Sequence, residues 1–205
     1  QEIIHGPPDA RSGVDRSVEP LLRAAREKVS HPQQVLFVLG NHDLAQVTRA
    51  EITKEGQEAC KGFLDGLHYA YRNEADDVLE GICAFLRSIP LAARCPNGVF
   101  ISHSLPSPKK MEGAGTEVLA RSTAEDDMHR GQSAYEWTWG RGQTEEQVES
   151  LAEQLRASFF ILGHRHPEQG WQKVASRAIA IATDRPNGVV ACFPSDGVFD
   201  PNSVE

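Results

Sequence analysis

Apolar residues recur at helical spacing in three parts of the chain. Residues 17–29 (SVEPLLRAAREKV) predict an amphipathic helix, and residues 144–157 (TEEQVESLAEQLRA) predict a second helix that begins at Thr144. Residues 51–87 contain no proline and mix polar with apolar residues, which predicts two or three further helices. These helices would form an insertion or cap.

Continuous apolar runs predict strands between these helices. Residues 35–39 and 158–162 are apolar enough to be strands covered on both faces. Pro-Asn-Gly at 96–98 and again at 186–188 predicts two hairpins, each joining two short strands. Residues 106–141 predict mostly loop, with three large aromatic residues that are expected to fill a core. No low-complexity linker interrupts the chain, so the pattern predicts one α/β domain over 1–205.

Three of the predicted strands end at histidine. Asn41 and His42 follow the run 35–39, His103 follows GVFIS, and His164 and His166 follow SFFILG. Because ligands collect at the carboxyl ends of strands in an open α/β sheet, we expect these residues to share one site. Imidazole nitrogen and amide oxygen are ligands of divalent metals, so the pattern predicts a metal site. Four other histidines lack this setting: His5, His31, His68 and His129.

Composition narrows the class of protein further. A net charge of -8 over 205 residues and a pI near 5.5 argue against a broad basic surface for nucleic acid or anionic membrane. No apolar run approaches the roughly 20 residues that a membrane span requires. The four cysteines are scattered and include no C-x-x-C pair, so neither a disulfide framework nor a zinc ribbon is predicted. A reducing cytoplasm is the predicted location.

The order of these motifs resembles that of the calcineurin-like metallophosphoesterase superfamily. GNHD, an isolated strand-end histidine and GH after a third strand follow one another as they do there. The phosphoprotein (Ser/Thr) phosphatase branch is most similar, since His164 is followed after five residues by Gly170 and Trp171, like its H-x5-G-Y pattern. SHSLPS resembles that branch's HGGLSP, and YEWTWGR stands where its tryptophan-containing substrate loop would be. The resemblance covers most of the chain and implies a four-layer α/β/β/α sandwich with a helical insertion after GNHD.

The same resemblance implies a site with two divalent ions. Asn41, His103 and His164 would bind the second ion, and His42 would be the general acid that protonates the leaving oxygen. The nitrogen and oxygen ligands allow Mn, Fe or Zn. In the broader superfamily the second histidine of G-H-x-H binds the first ion, which makes His166 a candidate ligand.

Charged residues near these motifs have candidate roles in the same chemistry. Asp43 and Asp15 are candidates to orient His42, and Arg16 and Arg141 are candidates to bind phosphate oxygens because guanidinium suits bidentate recognition. The resemblance thus implies hydrolysis of phosphomonoesters, on a phosphorylated protein or small molecule, by a metal-bridged hydroxide. A non-catalytic metal-binding or interaction domain and a nucleotide or phosphodiester hydrolase are the alternatives.

The sequence departs from the superfamily pattern in its first metal motifs. The D-x-H motif is absent, and we expect that motif and its strand to precede Gln1. EIIHGPP resembles a G-D-I-I-H-G motif in which Glu2 replaces the metal-bridging aspartate. Asp9 is a competing choice, and an aspartate that precedes Gln1 is a third. If D-x-H precedes this chain, hydrolysis is expected; otherwise the non-catalytic alternative is favoured.

Overall fold

The chain folds into two compact units, Gln1–Ile89 and Pro90–Glu205. The computed structural model describes residues 2–54, 56–184, 186–194 and 197. Within those residues, no helix has both the length and the apolar character that crossing a membrane requires. The sequence-based predictions of one domain over 1–205 and of a cytoplasmic location stay predictions.

The first unit is mainly helical. Its elements are α1 (Val18–Ser30), α2 (Asn41–Thr48), the short antiparallel pair β1 (Thr53–Lys54) and β2 (Gln57–Glu58), α3 (Ala59–Tyr71) and α4 (Ala75–Arg87). Helix α4 packs against both α2 and α3, and α1 contacts α3. The core is formed by Leu21, Leu39, Leu44, Phe63, Leu67 and Leu86, all at most 2% exposed. The helices predicted over 17–29 and within 51–87 are therefore confirmed.

The apolar run 35–39 does not form the predicted strand. A strand needs a neighbouring backbone to complete its hydrogen bonds, and none of the described residues forms a ladder with this segment. Leu36 is 64% exposed, whereas Leu39 is fully buried, so only the end of the run enters the core. The polar residues that follow begin helix α2 at Asn41, where the sequence predicted a loop.

The second unit is built on a mixed five-stranded sheet. Its strands are β3 (Ala92–Arg94), β4 (Val99–Ser102), β5 (Phe159–Leu162), β6 (Trp171–Ala175) and β7 (Ala178–Ile181), in the order β3-β4-β5-β7-β6. The inner strands β4, β5 and β7 are parallel, and the edge strands are antiparallel to their neighbours. Phe100 and Phe160 pack on one face of β4 and β5, while Val99, Phe159 and Ile161 pack together in a second cluster. Burial on both faces explains the continuous apolar runs.

Three helices connect β4 to β5. They are α5 (Met111–Ala114), α6 (Ser133–Trp139) and α7 (Glu145–Leu155), and short 3-10 turns lie before α6. Thr144 caps α7 by accepting a bond from the Gln147 N–H at 3.3 Å, as its position in the sequence predicted. Helix α6 lies within the segment predicted as loop. Its Trp137 is fully buried against Phe100, which confirms a core role for that aromatic residue.

Only the first of the two predicted hairpins is present in the described residues. Strands β3 and β4 pair around residues 95–98, as predicted. The run 189–193, predicted to pair with the strand before it, forms no strand, and its Val189 N–H bonds to Ala182 O at 2.9 Å. The reason is that β5 and β6 already occupy both edges of β7. The fold is thus mixed α/β as predicted, and the four-layer sandwich stays a prediction.

Candidate active site

The start of α2 gathers polar residues of the first unit. Gly40 has extended backbone (φ −103°, ψ 173°), and Asn41, only 4% exposed, is the first helical residue. The Oδ2 atom of Asp43 accepts bonds from the N–H groups of Gly40 at 2.9 Å and Glu2 at 3.4 Å. The bond to Gly40 is the backbone half of a capping box, so Asp43 caps this helix. Its predicted role in orienting His42 stays a prediction.

The carboxylate of Glu2 lies against the same helix start. Its Oε1 atom accepts a bond from the His42 N–H at 2.9 Å. A Cβ atom at position 40 would lie 2.2 Å from Glu2 Cγ, so glycine alone leaves room for this side chain. The pKa of Glu2 is raised to about 7, mainly by burial; the bond from His42 acts in the opposite direction, and the charge of Asp43 adds to the rise. Two adjacent carboxyls, that of the buried Asp43 and that of the partly buried Glu2, favour a bound proton or cation.

The His42 ring contacts a residue that the sequence did not single out. His5 Nδ1 lies 2.9 Å from His42 Nδ1, and His5 Nε2 lies 2.9 Å from Gln46 Oε1. Both His5 and Gln46 are buried, at 1% and 4% exposed. Burial lowers the pKa of His5, while the bond to Gln46 and the charge of Asp15 act in the opposite direction. The spacing of His42 and Gln46, one helical turn apart, is the one sequence signal for this contact.

In the second unit, His103 and His164 form a buried pair. They follow the parallel strands β4 and β5, and His103 Nε2 lies 3.1 Å from His164 Nδ1. Their exposed fractions are 1% and 8%. Two of the strand-end histidines singled out in the sequence, His103 and His164, therefore lie in contact. Their predicted role as metal ligands stays a prediction. The pKa of His164 is lowered to about 3, first by burial and then by the charge of Arg141.

In the register of β4 and β5, His164 lies one residue beyond the position that pairs with His103. Ser102 pairs with Leu162, so His103 is level with Gly163, whose N–H bonds to His103 O at 3.0 Å. His164 has a φ of +60°, a left-handed value that reverses the chain direction locally. This backbone conformation accompanies the approach of its ring to His103.

The described non-glycine residues with positive φ fall into two groups: residues that end helices and residues of the polar clusters. Three of the six end helices: Arg49, Arg72 and Arg156. The other three are Glu2, His5 and His164, which all belong to the polar clusters described above. Strained backbone away from helix ends often marks functional sites, because other contacts must hold it in place.

Two arginines lie near His164. The charges of Arg141 and Arg165 both lower the pKa of His164, and the pKa of Arg165 is itself lowered, first by burial and then by Arg141. Arg165 donates a hydrogen bond from Nη2 to Gln143 Oε1. The cluster gives this part of an acidic chain a locally positive potential, which suits an anionic ligand.

The other predicted site residues have partners of their own. Asp15 is 5% exposed and accepts a bond from the Ser17 N–H at 2.6 Å. Arg16 is exposed and pairs with Glu19. His166 Nδ1 lies 3.2 Å from Asp184 Oδ2, with both side chains about half exposed. The roles predicted for Asp15, Arg16 and His166 stay predictions.

The His103–His164 pair fits two ligands of one metal ion. Two imidazole nitrogens that each bind one tetrahedral ion at about 2.0–2.1 Å are roughly 3.3 Å apart, close to the 3.1 Å observed here. Across the described ranges, no group of three or more His, Cys, Asp and Glu side chains is arranged to hold a metal. For a metal ion, the described side chains of this unit thus offer two imidazole nitrogens, one from His103 and one from His164.

Comparisons with known proteins give a likeness in fold. The chain matches no protein-family model and no curated protein sequence. A protein serine/threonine phosphatase from Saccharomyces cerevisiae, with similarity to human phosphatase PP5, superposes with a TM-score of 0.61 at 16% identity, over 84% of this chain and 56% of that one. A cold-active protein-tyrosine phosphatase of a psychrophilic Shewanella species superposes with a TM-score of 0.52 at 14% identity, over 81% of this chain and 55% of that one. A mutant cold-active protein tyrosine phosphatase gives the same values.

These values show that the chain has a phosphatase-like fold. At 14–16% identity the likeness concerns fold alone. The chain spans little more than half the length of these phosphatases, 55–56%.

Proposed function

We propose that this chain is a metal-dependent phosphoester hydrolase of the calcineurin-like metallophosphoesterase type, acting on phosphomonoesters such as phosphoserine. The observation that carries the proposal is the buried pair of His103 Nε2 and His164 Nδ1, 3.1 Å apart at the ends of two parallel strands. The phosphatase-like fold supports it, because strand ends are where an α/β sheet presents its ligands.

In the second unit, His103 and His164 are the proposed ligands of a divalent ion, Mn, Fe or Zn. Such an ion, when bound, polarises phosphoryl oxygens and acidifies a water molecule. Arg141 is the proposed phosphate-binding residue, because its planar guanidinium suits two phosphate oxygens at once. The nearby charge of Arg165 supports an anionic substrate here.

In the first unit, His42 is the proposed general acid, which protonates the leaving oxygen of the phosphoester from its ring. Glu2 and Asn41 are the metal ligands proposed for this unit. The bond from the His42 N–H to Glu2 Oε1 fixes the carboxylate beside the helix start, and Gly40 leaves the space for it.

A phosphotyrosine substrate is the second candidate, since two of the structures with a similar fold are protein-tyrosine phosphatases. The two candidates differ in the leaving group, which is an alkoxide from phosphoserine and a more stable phenoxide from phosphotyrosine. The less stable alkoxide depends more strongly on a general acid.

The test is turnover of p-nitrophenyl phosphate, a phosphoserine peptide and a phosphotyrosine peptide, with Mn²⁺ and after treatment with EDTA. We expect EDTA to abolish turnover and His42→Ala to lower kcat about 100-fold or more. His68→Ala, at an exposed histidine of the same unit, is the matched control. Turnover that survives both EDTA and His42→Ala would overturn the proposal.

Metal content gives an independent readout. His103→Ala and His164→Ala are each expected to lose bound Mn²⁺ in equilibrium dialysis, whereas His129→Ala, at an exposed position, keeps it. Metal binding without turnover on any of the three substrates would favour a non-catalytic metal-binding domain.

A further inference from the structure

His5 and Gln46 form a buried chain of hydrogen bonds that ends at the ring of His42. We propose that they are positioning residues, which hold His42 in one orientation and in one tautomer, with its proton on Nδ1. The inference rests on the proposed role of His42 as proton donor. It concerns which ring nitrogen faces the substrate.

The geometry of the chain is well defined. His42 and Gln46 are four residues apart on α2 and so lie on one face of the helix. His5 bridges them, with 2.9 Å from its Nδ1 to His42 Nδ1 and 2.9 Å from its Nε2 to Gln46 Oε1. His5 and Gln46 are almost completely buried, which shields both bonds from competing water.

His5 is itself held from several sides. Its ring packs against the ring of Phe63 with 5.9 Å between centroids, in an edge-on arrangement. Lys54 Nζ donates to the His5 carbonyl at 3.2 Å, and the His5 backbone has a φ of +62°. A histidine that only filled space would not require a left-handed backbone and a side chain bonded at both nitrogens.

The proton positions follow from the acceptor at the end of the chain. An amide oxygen can only accept, so His5 Nε2 must carry a proton for Gln46 Oε1. In neutral His5 the other nitrogen, Nδ1, is then an acceptor. His42 Nδ1 must therefore carry the proton of the bond between the two rings.

This arrangement suits a general acid in both of its protonation states. In the His42 imidazolium, Nδ1–H stays bonded to His5 and Nε2–H is the proton available for transfer. When that proton passes from Nε2 to the departing oxygen, the ring is left as the Nδ1–H tautomer that His5 already holds. No ring flip or second proton shift is needed between turnovers.

The tautomer can be measured without any activity. Long-range ¹H–¹⁵N NMR of histidine-labelled protein, at a pH where His42 is neutral, distinguishes protonated from bare ring nitrogens. We expect His42, assigned by loss of its signals in His42→Gln, to show protonated Nδ1 and bare Nε2. Gln46→Leu removes the terminal acceptor, and we expect it to shift His42 toward a mixture. A wild-type His42 with protonated Nε2, or an unchanged spectrum in Gln46→Leu, would overturn the proposal.

Kinetics test the same inference through the leaving group. We expect Gln46→Leu to lower kcat about tenfold for phenyl phosphate, a poor leaving group, and less for p-nitrophenyl phosphate, with KM unchanged. Gln46→Glu keeps the acceptor oxygen and should restore the Nδ1–H tautomer and most of kcat. Thr48→Val, which removes a side-chain bond to Leu44 O on the same helix, is the control and should leave both rates unchanged.

The outcomes separate the two proposals. If wild type has no phosphatase activity but His42 shows the expected tautomer, the proposed function fails and the positioning role stands. An equal loss of kcat on both substrates in Gln46→Leu, with no rescue by Gln46→Glu, would reduce the role of Gln46 to fold stability and overturn the inference.

Discussion

At the scale of single residues, the histidines differ mainly in their partners. His5, His103 and His164 are buried and each contacts another imidazole, whereas His68 and His129 are exposed. An imidazole can donate from one nitrogen and accept at the other, so a pair can satisfy itself in a site where two carboxylates would repel each other. Among the residues that the structure describes, each unit contains one such pair.

Asp127 is a carboxylate whose hydrogen bonds hold neighbouring segments together. It accepts bonds from Arg121, from the Ala124 N–H at 2.8 Å and from Ser133 Oγ at 3.0 Å, and so ties the preceding turn to the start of α6. We expect Asp127→Asn to reduce the free energy of unfolding at pH 7 by about 1–2 kcal/mol, because the amide lacks the negative charge that strengthens these hydrogen bonds. Urea titration followed by circular dichroism measures the change.

The pH dependence of this effect has a definite sign. The bond from Arg121 holds the pKa of Asp127 far below its usual range, so the stabilisation is fully present above about pH 4, the pKa in the unfolded chain. It is lost as the pH falls below that value toward the lowered pKa. The difference between wild type and Asp127→Asn should thus shrink from pH 6 to pH 3. A constant difference over that range would contradict the assignment.

At the scale of elements, close contacts between backbone segments depend on particular glycines. Gly66 on α3 faces Asp15 O, and a Cβ atom there would lie 1.9 Å from that oxygen. Gly62, one turn earlier on the same helix, has no heavy atom within 4 Å of its Cβ position. Helix α3 therefore contains one glycine, Gly66, with no room for a side chain and another, Gly62, with open space around it.

Alanine at these two positions should change stability in opposite directions. Gly62→Ala is expected to stabilise the protein by about 0.5–1 kcal/mol, because alanine loses less backbone entropy in a helix. Gly66→Ala is expected to destabilise it by about 1–3 kcal/mol, because Asp15 must move away. Urea denaturation of the two variants beside wild type measures both effects. Equal stabilisation by the two substitutions would show that α3 does not touch Asp15.

Elements could be predicted from the sequence where one pattern of burial covers the whole element. Strands β4 and β5 are buried on both faces and so have continuous apolar runs. The edge strand β6 alternates exposed and partly buried residues and includes Lys173, so it gave no clear signal. Helix α2 was missed because its first turn is polar and its eight residues are too few for a clear period.

The predicted and the unpredicted residues of the candidate site differ in how local their sequence signal is. His103 and His164 were found because each follows its own apolar strand, a local signal. His5 was missed because its partner His42 lies 37 residues away and is brought to it by the fold. Long-range contacts of this kind have no period in the sequence.

At the scale of the whole molecule, net charge and local charge differ. The chain carries a formal net charge of -8, yet Arg141 and Arg165 lie near His164. Local charge governs the encounter with a phosphate group, since charges beyond about 10 Å are screened at ordinary ionic strength. An acidic protein can therefore present a basic site to an anionic substrate.

Metal binding should be visible in the stability of the whole protein. A ligand that binds only the folded state stabilises it by about 2.7 kcal/mol at a concentration of 100 times its Kd. We expect Mn²⁺ to raise the Tm of wild type and to have little effect on His103→Ala, measured by differential scanning calorimetry. Mg²⁺, which prefers oxygen ligands, is the control and should act weakly. An equal rise in both proteins would place the binding ion away from His103.

The left-handed backbone at His164 has a consequence for sequence change. A non-glycine residue at a φ of +60° costs roughly 1–2 kcal/mol relative to a residue that tolerates this conformation, and glycine and asparagine tolerate it best. A library randomised at position 164 and sorted only for expression should therefore enrich glycine and asparagine. The same library sorted for phosphate release should return histidine, so this one position would separate selection for folding from selection for chemistry.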